Sequence, residues 1–336
     1  MPQSKKELVL AALNNKPVDR VPVGFWFHFT NPDEQHKGLE DPEVIKKNLA
    51  GHRKFYESFH PDFMKIMTDG YFDYPNDALK GVKSANDIKN IKPLGERHPW
   101  ITKQLELAKT LHGAYGEEIL MFFNIFSPVR YFMFIQEGDG PSLVAQLISE
   151  DKEAFKGLLD VIAQDLSLLA RKVITEAGVD GIYFCVQSVQ DSRVTKEVYE
   201  DVISPSEFAV LNTANTYSEN NILHVCGYEG ALNDLTWFKD YPAKAVNWAV
   251  NVEGVSLAEG KRLFGDKAVI GGFDNTKNGY LYGGTRSMIE AFTEGLIKGA
   301  GKRGVILGAD CTLPNDISML GLDWVRKKAA SVSGTI

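Results

Sequence analysis

The sequence predicts an α/β fold of the (β/α)8 barrel type, and three observations carry that reading. Apolar, strand-like segments recur eight times, helix-like stretches fall between them, and no glycine-rich nucleotide motif follows any strand. Alternation calls for a parallel sheet with helices outside it. Eight repeats favour closure into a barrel over an open doubly wound sheet.

The elements follow in order. Ser4 and Glu7 make an S-x-x-E capping box ahead of LVLAAL, so a helical extension opens the chain and ends near Asn14. A turn through NNKPVDR leads to VPVGFWFHF, residues 21–29, an apolar and aromatic run expected as the first strand. Further strands are expected at 62–69, 119–126, 181–187, 221–227, 243–250, 267–273 and 303–310. Between them the clearest helix is FKGLLDVIAQDLSLLARKV. There Phe155, Leu158, Leu159, Ile162, Leu166, Leu169 and Val173 recur three and four apart as one apolar stripe. The stretches 70–98 and 127–141 are long for connections and are expected to shape a site or carry small helices.

Length and charge narrow the function. The 336 residues are 44% hydrophobic, enough for one large core, and a single domain over 1–336 is the simpler reading. A formal charge of −7 without a dense basic run argues against nucleic acid. No stretch supplies the roughly 20 apolar residues of a membrane span, and no leader-like segment opens the chain, so a cytoplasmic protein is expected. Three cysteines are too few for a disulfide framework.

In a barrel, chemistry collects where strands end. Those ends carry His28, Asp69, Asn124, Ser127, Gln187, His224, Cys226, Asn247, Asn251, Asp274, Asp310 and Cys311. His224 and Cys226 stand two apart on a strand and face the same way, and closure brings Cys311 to the same rim. One imidazole and two thiolates suit Zn2+ and leave a fourth position for substrate. Taken alone, Cys226 is more readily a small buried hydrophobe than a ligand, and it is the placement of His224, Cys226 and Cys311 at strand ends that favours zinc; Cys185, within GIYFCVQ, has no such placement and is read as packing. Two thiolates make zinc a weak activator of water but an effective binder of an incoming thiol.

ALNNKPVDRVPV, the H-V-C-G segment, VSLAEGKRLFGDKAVIGGFDN and GVILGADCTLPND together resemble the uroporphyrinogen decarboxylase superfamily over nearly the whole chain. His224, Cys226 and Cys311 match the H-x-C…C zinc pattern of its cobalamin-dependent methyltransferase branch, which includes methylcobamide:coenzyme M methyltransferases. The resemblance implies a (β/α)8 barrel, zinc, and methyl transfer between a corrinoid on a partner protein and a small thiol or methylated substrate. No D-x-H-x-x-G corrinoid segment occurs in this chain. The Arg-rich segment of the decarboxylases is replaced by WFHFTNPDEQHKG, which brings Asp33 and Glu34 where a polycarboxylate substrate needs cations. A decarboxylase and a non-catalytic zinc or corrinoid binder are the alternatives. His28 and Asp274 are secondary catalytic candidates: His28 to orient substrate or give zinc a fourth ligand, Asp274 to lie near the pocket or cap a helix.

Overall fold

Ser4 caps helix α1 (Lys5–Leu13) through the expected capping box, and Asn14 closes it, in the computed structural model, which describes residues 2–333. Seven parallel strands follow, paired in sequence order: β1 (Phe63–Ile66), β2 (Leu120–Phe126), β3 (Gly181–Val186), β4 (Ile222–Val225), β5 (Ala245–Trp248), β6 (Ala268–Phe273) and β7 (Val305–Ala309). Helix α2 (Pro42–Phe59) precedes β1, and helices run between the strands, among them α3 (Pro99–Tyr115), α4 (Pro128–Phe134), α5 (Gly140–Glu150) and α6 (Lys152–Thr175). All the expected stripe residues of α6 are buried. Short 3-10 turns at Asp77–Leu79 and Ala85–Ile88 occupy the long 70–98 connection.

The expected first strand is not a strand. Residues 21–29 run between β7 and β1, and on the β7 side they pair only through isolated bridges, Val23 with Leu307 and Phe27 with Leu313 just beyond β7. Asp62 N–H, at the start of β1, donates to the Val23 carbonyl at 3.1 Å. The reason lies in where the backbone donors go. Pro22 has no N–H to give. The Val23 N–H turns to the Asp62 carboxylate at 2.7 Å, and the Phe29 N–H to the Asp69 carboxylate at 2.6 Å. Two acidic side chains thus take bonds that a regular ladder would need.

Strand alternation sorts the core into two layers. Phe63, Phe122, Tyr183, Ile222, Ala245, Ile270 and Ile306 pack on the inner face with Trp26, and Val9, Ala12 and Leu13 of α1 join them. The Trp26 and Tyr183 rings lie 5.4 Å apart, although β1 and β2 separate their segments in the sheet. The sheet is therefore curled around this inner layer. Outward residues such as Met64, Met121, Phe184, Val225 and Leu307 pack in the second layer with the helices. No described helix is long and apolar enough to cross a membrane.

Candidate metal centre

β4 presents Ile222 and His224 inward, while Leu223 and Val225 join the outer layer. Cys226 follows the strand directly, and its N–H still donates to the Val186 carbonyl of β3 at 2.9 Å. Across the rim, Asp310 N–H donates to the Phe273 carbonyl at 2.8 Å, which carries the β6–β7 register up to Cys311. Cys311 Sγ then lies 3.6 Å from His224 Nε2. The ligand atoms of His224, Cys226 and Cys311 all fall within 4.8 Å of one another.

These distances suit a tetrahedral zinc, whose nitrogen and sulfur ligands stand about 3.5 Å apart when the bonds are about 2.0 and 2.3 Å. His224 is buried, yet its Nδ1 has no partner among the described residues. Asn247, opposite His224 in the β4–β5 register, donates through Nδ2 to the Ile270 carbonyl at 3.0 Å and leaves a buried Oδ1 unpartnered. The donor set therefore fits zinc.

The loop after Cys226 is held by a polar clamp. Asn233 Nδ2 donates to the Cys226 carbonyl at 3.0 Å and to Glu253 at 2.7 Å, while its Oδ1 accepts from Ser188 N–H at 2.9 Å. Gly227 permits the approach, since a Cβ there would stand 2.3 Å from Glu253 Oε1. Burial raises the Glu253 carboxyl above its ordinary value against these hydrogen bonds.

The two thiols polarise each other. A hydrogen bond to Cys311, then burial, raises Cys226 well above its ordinary value. The same bond lowers Cys311, assisted by His224 and by the more distant charge of Lys65. Arg130 pulls Cys226 the other way; its guanidinium lies 4.8 Å over the Phe134 ring. Burial also raises Asp310 to about 7, although Asn251 donates to its Oδ2 from N and Nδ2, each at 2.8 Å.

Neither His28 nor Asp274 joins the cluster. His28 Nδ1 pairs with Asp69 at 2.8 Å, a carboxylate that also takes the Phe29 N–H. Asp274 Oδ1 accepts from Thr276 N–H at 2.7 Å, a local turn bond. Arg193 is occupied by Asp191. Cys185 is buried inside the sheet, where it donates to Asn124 Oδ1 at 3.1 Å, and burial pushes it up to about 11. Phe25, Trp26, Phe27, Phe122 and Phe123 are buried, and Phe126 is partly open beside Phe72 and Phe134. Lys65 and the Asn233 clamp were not foreseen. Alternation in DFMKIM placed Lys65 inward with Phe63, whereas nothing in the sequence paired Asn233 with Glu253.

Comparison with known proteins gives the same architecture. A methyltransferase from Methanosarcina mazei superposes with a TM-score of 0.69 at 14% identity, covering 98% of each chain. A B12-independent methionine synthase from Shewanella, solved with selenomethionine, gives 0.61 at 15% identity over 93% of this chain and 97% of that one. A putative vitamin-B12 independent methionine synthase from Listeria monocytogenes gives 0.53 at 14% identity, with 88% and 89% covered. At such identities the likeness speaks for the fold. No curated protein matches the sequence. The family model described as Uroporphyrinogen decarboxylase (URO-D) matches residues 74–327, and the chain belongs to that family.

Proposed function

We propose that this chain is a zinc-dependent methyltransferase that moves a methyl group between a corrinoid carried on a partner protein and a small thiol or methylated substrate. The observation that carries the reading is the convergence of His224, Cys226 and Cys311 within 4.8 Å at the strand ends. In this reading the sheet is a (β/α)8 barrel whose eighth stave is the irregular segment 21–29.

Zinc, when bound, would favour loss of the proton from a coordinating thiol and so present a nucleophilic sulfur at neutral pH. His224 would hold it through Nε2, and Cys226 and Cys311 through their sulfurs. The chain's other residues orient these three. Asn233 fixes the Cys226 carbonyl, and the β6–β7 register fixes Cys311. Phe72, Phe126 and Phe134 supply an apolar wall at the partly open end, suited to a methyl group and its carrier. Porphyrinogen decarboxylation is disfavoured because WFHFTNPDEQHKG offers acids, and His36 of that loop is itself paired with Asp73 at 2.5 Å.

Zinc-loaded protein incubated with methylcobalamin and a panel of thiols tests the proposal. Loss of the methylcobalamin spectrum with formation of a methyl thioether is expected, and Cys311→Ala should abolish it. Full turnover in Cys311→Ala would refute a role for this centre.

A further inference from the structure

Lys65 occupies the inner row of β1 between Phe63 and Met67, and it is 4% exposed. Its ammonium stands 4.4 Å from the Tyr183 ring centre and 5.3 Å from that of Trp26. The Nζ reaches Cys185 Sγ at 3.7 Å, and no carboxylate among the described residues lies within ion-pair distance. A buried ammonium left to aromatic faces and one weak sulfur acceptor is costly, and the ring faces offset only part of that cost. Something anionic must repay it.

The sulfur cluster lies on the same inner face. Cys185, which Lys65 touches, is in direct register with His224. Resting on the zinc reading, the charge count is simple. Two cysteine thiolates cancel the two charges of zinc, so a third, incoming thiolate leaves one net negative charge. Lys65 supplies one positive charge in a setting that salt screens little.

We infer that Lys65 is a positioning residue, a fixed counter-charge beneath the centre that makes it prefer an anionic ligand to a neutral one. It touches none of the three metal-binding side chains and acts through its field. The preference favours the thiolate-bound state over one holding a neutral thioether or alcohol.

Cobalt-loaded wild type, Lys65→Met and Lys65→Arg, titrated by visible absorption with azide and separately with imidazole, test this. Lys65→Met should bind cobalt in the wild-type ratio, lose azide affinity about tenfold and keep imidazole affinity, while Lys65→Arg retains both. Lys65→Gln repeats the measurement if the methionine variant does not fold. Unchanged azide affinity, or equal loss of both ligands, would overturn the inference. Wild type that refuses thiols yet binds azide in a Lys65-dependent way would defeat the methyl-transfer reading alone, and wild type that takes up no cobalt would defeat both.

Discussion

Cys311 Sγ faces His224 Nε2 at 3.6 Å across a separation of 87 residues. Two strand ends that are remote in the chain thus share one rim, and Cys226 completes the group.

If these three side chains hold the metal, removing the two sulfurs removes most of the affinity. Elemental analysis after chelation and reloading should give about one zinc per wild-type chain. The Cys226→Ser, Cys311→Ser double variant should fall well below that ratio while its circular dichroism stays native. Stoichiometric zinc in the double variant would exclude this site.

Asn233 ties the Cys226 carbonyl to Ser188 and Glu253. Asn233→Ala leaves these groups without their partner, a cost of about 1–3 kcal/mol. Supporting residues of this kind are typically worth about 10–100-fold in metal affinity. Competition with a chromophoric chelator should show that weakening, and equal affinity would limit Asn233 to loop packing.

Leu13 gives the opposite expectation. It is 1% exposed on the inner face, away from the three ligands in the chain. Leu13→Ala should cost about 2–5 kcal/mol in urea denaturation by cavity formation. The zinc ratio of the folded variant should not change, and parallel loss of zinc would mean that α1 shapes the centre.

Glu207 sets a pH dependence. Its buried carboxyl accepts from the hydroxyls of Tyr199 and Tyr241, and burial still raises it from 4.5 to about 7. Between those values the folded state binds more protons than the unfolded one, so stability falls as pH rises from about 4.5 to about 7 and then levels off. The full effect is about 3 kcal/mol. Glu207→Gln removes this contribution, so the variant should gain stability relative to wild type between pH 5 and pH 8. A wild-type to variant difference that stays constant over that range would contradict the charge argument.

Much of the fold was legible because it depends on local pattern. The 3.6-residue stripe identified α6, the two-residue period of a strand aimed His224 and Cys226 together, and short apolar runs in ILMFFNIF and NILHVCG identified β2 and β4. Residues 21–29 read as a strand for the same reason, yet Asp62 and Asp69 claim two of their N–H groups, and nothing local announces that. His28 was readable at the end of the same run, but its pairing with Asp69 at 2.8 Å joins segments 41 residues apart. Lys65 was readable by alternation but bears no motif, and the Asn233 clamp joins loops that only the folded sheet brings together.

Zinc K-edge X-ray absorption, recorded before and after adding 2-mercaptoethanol to the zinc-loaded chain, tests most directly whether His224, Cys226 and Cys311 form a centre open to substrate. The expected result is a zinc with one imidazole and two sulfurs that gains a third sulfur with the thiol and loses one in Cys311→Ser. A sulfur environment unchanged by the thiol and by Cys311→Ser would contradict it.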